Sequence, residues 1–155
     1  MNTITDALVA RLCDRVSAST SDTLSTVEVF TGGTLAKVPR SSPEDVAEAV
    51  EAARVAQRAW VNVAVPDRIA IFERFHALVL EHSEQVLDLL QAETGKSRRD
   101  AFLESASPLV TIGYYARKAP KLLAPQRRQG MMPLLVKTTE LRAPKGVVGI
   151  ITPWN

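Results

Sequence analysis

The sequence predicts an α/β protein in which amphipathic helices accompany strands. Three observations favour this class: a hairpin pattern at 27–38, helical periodicity through the middle of the chain, and a run at 147–151 that is apolar on both faces. Such a run is typical of a buried parallel strand. Parallel strands need crossover connections of a dozen or more residues, and 152–155 are too few to supply one. We therefore expect the chain to be the opening, truncated part of a larger fold.

Composition excludes several classes of protein. The 155 residues are 46% apolar and 23% charged, which is typical of a globular domain or of parts of two. A net charge of +2 is too small to argue for a nucleic-acid partner. No apolar run approaches the ~18 residues that a membrane span needs. With Cys13 as the single cysteine, we expect neither a disulfide nor a metal site.

The first 25 residues are expected to form a short amphipathic helix followed by a Ser/Thr-rich leader over 17–25. Acidic residues are mixed with arginines here, which is unlike an export signal, so we expect a cytoplasmic protein. A hairpin comes next, with strands at 27–30 and 35–38 on either side of Thr31-Gly32-Gly33-Thr34. The Gly-Gly pair supplies the positive φ angles that a tight turn requires.

Helix signals follow the hairpin. Ser42 is a candidate N-cap, Pro43 suits the first helical position, and Asp45 stands where a capping-box acid would. Apolar residues then recur at helical period on one face of this segment. Pro66 opens a second helical pattern, and Gly95 is a plausible stop for the pattern that follows it.

A further helix is predicted to begin near Arg98, with Ser97 as its cap. Pro108 interrupts its pattern, which predicts a kink or two abutting helices that end before Pro120. Residues 125–133 are expected to be a loop.

The pattern then changes to period two over 135–142, which predicts an edge or hairpin strand. A Pro-Gly turn at 143–146 leads into the buried strand at 147–151. One alternative is that this last strand pairs with the N-terminal hairpin in a small antiparallel sheet.

Residues 144–155, with the sequence Pro-Lys-Gly-Val-Val-Gly-Ile-Ile-Thr-Pro-Trp-Asn, carry a resemblance. They resemble the strand that enters the cofactor domain of the aldehyde dehydrogenase superfamily, which ends at a Pro-Trp-Asn element. Phe30-Thr31-Gly32, Glu93-Thr94-Gly95-Lys96 and Tyr114-Tyr115-Ala116 agree with the family in the same order. The resemblance covers about 26–155 and is greatest to bacterial succinate-semialdehyde dehydrogenases.

The resemblance implies an NAD- or NADP-dependent enzyme that oxidises an aldehyde to a carboxylate, with succinate semialdehyde as the expected substrate. In this family a cysteine thiolate attacks the aldehyde to give a thiohemiacetal, and Asn155 matches the asparagine that donates to its oxyanion. Ile151, Thr152, Pro153, Trp154 and Asn155 match the stretch along the nicotinamide and its ribose. Local sequence alone favours a turn or helix-cap role for Asn155, and the surrounding motif favours the functional one; Trp154 also has an interpretation as a core aromatic.

Other implications concern what the sequence lacks. The family's nucleophilic cysteine and its glutamate base match no residue here, and Cys13 matches no catalytic position. We therefore assign 26–155 to the N-terminal part of an NAD(P)-binding domain, with the catalytic domain absent, and expect this stretch alone to be inactive. The strand at 134–142 resembles the family's subunit-pairing arm, which implies a homo-oligomer. A rival hypothesis is a non-catalytic helical interaction module derived from a dehydrogenase front end.

Overall fold

The computed structural model describes residues 3–132 and 135–152. Within them the elements, in chain order, are α1 (Asp6–Cys13), β1 (Thr23–Val27), β2 (Thr34–Pro39), α2 (Pro43–Trp60), α3 (Val65–Glu81), α4 (Ser83–Thr94), α5 (Arg98–Leu123), β3 (Gln126–Arg128) and β4 (Thr138–Glu140). The strands form two separate antiparallel pairs, β1 with β2 and β3 with β4. Helices α3 and α4 both pack against α5.

The N-terminal hairpin is confirmed, but its first strand lies earlier in the chain than predicted. Strand β1 ends at Val27, and Thr23 pairs with Pro39 at the far end of the hairpin. The turn occupies 28–33, because the Glu28 amide donates to the Gly33 carbonyl at 2.9 Å and the Gly32 amide donates to the Glu28 carbonyl at 2.8 Å. The Ser/Thr-rich residues 23–25, expected to be leader, therefore belong to the sheet.

The start of α2 is as predicted. The Ser42 side chain accepts from the Asp45 amide at 3.1 Å, and the Ser42 amide donates to the Asp45 carboxylate at 2.7 Å. Pro43 occupies the first turn, where its missing N–H costs nothing. This capping box fixes the direction in which α2 leaves the hairpin.

Helix α5 differs from its prediction. One helix of 26 residues runs from Arg98 to Leu123 with Pro108 and Pro120 inside it. Of the two alternatives at Pro108, two abutting helices do not form, and the expected end before Pro120 was wrong. Ser97 does cap it, since its side chain accepts from the Asp100 amide at 3.2 Å. The interior proline is tolerated because α3 and α4 both pack along this helix, and tertiary packing outweighs local propensity.

The ribbon of β3 and β4 also departs from the sequence pattern. The predicted loop 125–133 contains β3, whereas the predicted strand 134–142 is reduced to Thr138–Glu140; Pro133 and Leu134 lie outside the described residues. Arg128 Nε donates to Glu140 Oε2 at 2.7 Å across the pair. This cross-strand ion pair holds β3, which has no period-two pattern of its own.

Residues 147–151, predicted as a buried parallel strand, form no strand and are exposed. Val148 is 66% exposed and Ile151 is 100% exposed. The alternative pairing with the N-terminal hairpin does not occur either, because β1 and β2 pair only with each other in the described ranges. A strand exists only beside a partner edge, and the described residues provide none here.

The buried apolar residues are few and lie on α1, α4 and α5. In the described parts of the chain they are Leu8, Leu87, Ala92 and Ala101. The accessible surface is 12166 Å², whereas a compact monomer of this mass exposes about 7,700 Å². Large apolar surfaces on the other elements are therefore left uncovered.

Candidate functional site

The five residues expected to form the site are only partly described. Ile151 and Thr152 end the described region, and both are exposed and irregular. Pro153, Trp154 and Asn155 lie outside the described residues, so the expected catalytic amide and most of the expected cofactor contacts are not placed. What the structure does show is the surface beside the segment that leads to them.

Helix α2 provides that surface. A groove of about 320 Å³ is lined by Val46, Ala49 and Val50 of α2 and, on its other side, by Val147 and Val148. These α2 positions belong to the apolar face that helical periodicity predicts. Segment 147–149 therefore lies beside the apolar face of α2, which sequence reasoning did not foresee because the two are about 100 residues apart.

A second groove continues along the same helix. It has a volume of about 540 Å³, and Ala56 and Trp60 of α2 line it together with Gly146 and Val147. The two grooves share Ala53 and Val147. The two grooves together follow more than three turns of α2, and segment 146–149 lines part of each, so α2 is the described element best placed to position that segment.

Asp45 is the ionisable group at the N-terminal end of the first groove. The Ser42 amide donates to one carboxylate oxygen and the Ser19 amide donates to the other at 3.1 Å. The hydrogen bond from Ser42, followed by those from Ser19, lowers the pKa of Asp45 from 3.8 to about 2. A carboxylate so weakly basic is a poor proton acceptor near neutral pH, so Asp45 is a structural anion rather than a catalytic base.

A third apolar groove lies between α3 and α5. Its volume is about 500 Å³, and its lining includes Trp60, Phe72 and Tyr115, with Arg68 as the charged residue. Arg68 Nε donates to the Val63 carbonyl at 2.8 Å, and its guanidinium lies 5.6 Å from the centre of the Trp60 ring. Arg68 is thus held by the connection from α2 to α3, since its Nη2 also donates to the Val61 carbonyl at 3.1 Å.

A charged network joins α4 to α5, and sequence reasoning missed it. Arg98 Nη1 donates to Asp88 at 2.6 Å and to Gln91 at 3.1 Å, and its Nη2 donates to Glu84. The sequence pattern treats these as ordinary helix charges, and no local signal reveals that they converge. With three acceptors already bound, Arg98 is a structural residue.

Cys13 is half-buried and lies away from these grooves, with its thiol donating to the Lys37 carbonyl at 3.6 Å. Across residues 3–132 and 135–152, no group of three His, Cys, Asp or Glu side chains is arranged to hold a metal ion. No helix in the same ranges is long and apolar enough to cross a membrane.

The chain is similar in sequence to proteins of a known family. Residues 16–155 match the aldehyde dehydrogenase family. A Mycolicibacterium smegmatis protein provisionally named succinate-semialdehyde dehydrogenase (NADP(+)) is 50% identical over 128 residues, which are 83% of this chain and 25% of that protein. Malonate-semialdehyde dehydrogenase 1 of Geobacillus kaustophilus is 36% identical over 140 residues, which are 90% of this chain and 28% of that protein.

Solved structures agree with the sequence matches. Succinate-semialdehyde dehydrogenase from Burkholderia pseudomallei superposes with a TM-score of 0.69 at 27% identity, over 76% of this chain and 24% of that one. An NAD-dependent benzaldehyde dehydrogenase from Corynebacterium glutamicum gives a TM-score of 0.67 at 25% identity, over 76% and 26%. The chain thus spans about a quarter of the length of the relatives it matches. With a family match that includes all five expected site residues, the chain belongs to the aldehyde dehydrogenase family.

Proposed function

We propose that this chain forms the N-terminal part of an NAD(P)-dependent aldehyde dehydrogenase that oxidises succinate semialdehyde to succinate. The observation that carries the proposal is the family match over 16–155, which runs through the Pro-Trp-Asn element. The substrate is supported by the name of the relative that is 50% identical. Relatives named for NADP(+) and for NAD both occur, so the proposal covers either cofactor.

Asn155 is the catalytic residue in this proposal. Its side-chain amide donates a hydrogen bond to the oxygen that becomes negative when a thiolate attacks the aldehyde carbon. A fixed N–H dipole stabilises that charge with little reorganisation, and removing one such donor typically lowers the rate about 10²–10³-fold. The thiolate and the base that activates water match no residue of this sequence, and Cys13, held against β2, is not the nucleophile.

Residues 151–155 border the cofactor in the same proposal. When bound, NAD(P)+ accepts the hydride that leaves the substrate carbon. The described residues fit such a role, because Ile151 and Thr152 are exposed at the end of an irregular segment and their backbone groups are accessible to a ligand. Ligands of open α/β sheets bind where strands end, which is the position that 151–155 would take once 147–151 pairs.

Helix α2 positions this segment. Its apolar face lines one wall of the two grooves whose other wall is 146–149. Val147 lines both grooves and is 39% exposed, whereas Val148 is 66% exposed. In the full-length protein we expect closer packing of these two side chains against α2 to fix the direction in which the chain continues toward Asn155.

The test is a substitution in the full-length protein that contains this chain. Asn155→Ala should lower kcat for succinate semialdehyde about 10²–10³-fold while binding of the cofactor changes little. Cys13→Ser serves as the matched control and should leave activity unchanged. Wild-type kinetics from Asn155→Ala, or loss of activity from Cys13→Ser, would contradict the proposed roles.

A homo-oligomer is part of the proposal. The ribbon of β3 and β4 has only two strands, so each has one edge without a strand partner among the described residues. Open edges of this kind are sites at which another chain pairs. Light scattering on the full-length protein should give a multiple of the monomer mass; a stable monomer would exclude this assembly.

We also place the enzyme in the cytoplasm. A single cysteine with a free thiol is in keeping with a reducing compartment. Fractionation of cells that produce the full-length protein should recover it with cytoplasmic markers.

A further inference from the structure

The first residues of the described chain are tied to a distant helix. The backbone amide and the hydroxyl of Thr3 both donate to Oδ2 of Asp88 at 2.8 Å. Asp88 lies on α4, 85 positions further along the chain. Its other oxygen accepts from Arg98 of α5 at 2.6 Å. The carboxylate therefore joins the N-terminal segment, α4 and α5 at one point.

Helix α1 follows Thr3 in the chain and is attached to the hairpin at its other end. Thr5 caps the helix by accepting from the Leu8 amide at 3.2 Å. Leu8 is 8% exposed, and α1 packs against β2. At the C-terminal end of α1 the Cys13 thiol donates to the Lys37 carbonyl of β2. Residues 3–13, which we call the N-terminal strap, thus run from α4 to the hairpin.

The strap is too short to be stable by itself. Helix α1 has eight residues, and isolated helices below about 12–15 residues are marginal in water. Docking and helix formation are therefore coupled, so that the strap is either docked and helical or undocked and unfolded. Such an element has two states separated by only a few contacts.

The docked strap spans a junction that has few other contacts. Between the hairpin and α4, the Val29 amide donates to the Ala92 carbonyl at 2.9 Å. Gly95 approaches the Val29 side chain at the same place. A strap fixed to α4 at Asp88 and to β2 at Lys37 adds a second attachment between the same two parts.

We propose that the N-terminal strap is a conformational latch that folds only when docked and that holds the hairpin of β1 and β2 against α4. The strap lies outside the match to the aldehyde dehydrogenase family, which begins at residue 16. The proposal therefore does not depend on the proposed activity.

The test is hydrogen exchange, followed by mass spectrometry, in the full-length protein. Thr3→Pro removes both donors to Asp88, and Thr3→Val removes only the hydroxyl. Leu8→Ala truncates the buried side chain of α1. Leu12→Ala is its matched control, because Leu12 lies on the same helix and is 44% exposed. We expect exchange over 9–13 and 34–39 to rise about tenfold or more in Thr3→Pro and Leu8→Ala. It should rise less in Thr3→Val and less than about twofold in Leu12→Ala.

Three results would contradict the proposal that the strap is a latch. If 34–39 exchanges as in wild type while 9–13 becomes faster, the strap does not hold the hairpin. If neither segment changes in Thr3→Pro and Leu8→Ala, the strap is not docked through these residues. If exchange also rises over 126–128 and 138–140, the variants loosen the whole chain and the strap is not a local device.

Discussion

At position 95 the backbone requires a residue without a side chain. Gly95 ends α4 with φ of 70°, in the left-handed region that favours glycine. A Cβ there would also lie 2.9 Å from Cγ1 of Val29. Gly32 has a similar φ of 72°, but a Cβ added at that position would meet nothing within 4 Å. A side chain at position 32 would therefore meet only backbone strain, whereas one at position 95 would meet backbone strain and a steric clash.

We therefore predict different costs for alanine at these two positions. Gly32→Ala should lower the free energy of local opening by about 1–2 kcal/mol, the usual penalty of a left-handed backbone. Gly95→Ala adds the displacement of Val29 and should cost about 2–4 kcal/mol. Hydrogen exchange of the amides in α4 and in the hairpin measures both. Equal costs for the two substitutions would show that the Val29 side chain moves aside at no measurable cost in free energy.

Asp45 gives the N-terminus of α2 a dependence on pH. Its pKa is about 2 in the folded protein and 3.8 without its hydrogen bonds. Because the folded value is depressed, the stabilisation is fully present above pH 3.8 and is lost as pH falls through 2. The ionised carboxylate is the form that accepts from Ser42 and Ser19.

We expect Asp45→Asn to lower the thermal midpoint at pH 7, with a difference from wild type that shrinks as the pH approaches about 2. Glu44→Gln, an exposed acid in the same first turn, is the control and should have a small effect. A difference for Asp45→Asn that stays constant from neutral pH down to about 2 would contradict the assigned hydrogen bonds.

At the scale of elements, α5 combines an unfavourable residue with a continuous helix. Pro108 has no N–H to donate to the Glu104 carbonyl, and an interior proline costs about 3 kcal/mol relative to alanine. The helix persists because Ala101 is fully buried near its start and α3 and α4 pack along it.

Pro108→Ala should therefore stabilise α5 by about 1–3 kcal/mol. Pro43→Ala is the contrasting variant, because Pro43 occupies the first turn of α2, where proline is favourable, and it should be neutral or slightly destabilising. Thermal unfolding and exchange of α5 amides measure the effects. A lower stability of Pro108→Ala would mean that the neighbouring helices have adapted to the proline.

The positions of the strands could not be predicted from local sequence as well as those of the helices. The Gly-Gly turn located the hairpin, but the position of β1 depended on its pairing with β2 and on the bond from Val29 to α4. Strand β3 has no alternating pattern and forms by pairing with β4, where Arg128 also makes an ion pair with Glu140. Segment 147–151 has the strongest strand pattern and forms no strand among the described residues, since a ladder requires a neighbour that local sequence does not supply.

At the scale of the whole molecule, the described surfaces are too apolar for a chain that works alone. Val50, Phe72 and Ile150 are exposed at three separate places in the chain, and the accessible surface exceeds the roughly 7,700 Å² of a compact monomer of this mass by a wide margin. Exposed apolar surface of this extent favours association with other protein surface.

We predict that residues 1–155 produced alone associate in solution, bind a hydrophobic dye and oxidise no aldehyde with NAD(P)+. Size exclusion with light scattering, dye fluorescence and a cofactor-reduction assay measure the three properties. A monodisperse monomer with cooperative unfolding would instead favour the non-catalytic interaction module. Aldehyde oxidation by this stretch alone would contradict the roles assigned to residues outside it.

The sequence by itself determined the local features: the capping box at Ser42, the helix stop at Gly95, the glycine turn at Gly32 and the family resemblance through Pro-Trp-Asn. Each of these depends on contacts or φ angles within a few residues, so a local pattern contains all the information required. Tertiary structure alone decided the continuity of α5, the strap from Thr3 to Asp88 and the placement of 146–149 beside α2. Those arrangements join groups that are tens of residues apart, and their free energy comes from burial and charge pairing that arise only after the chain has folded.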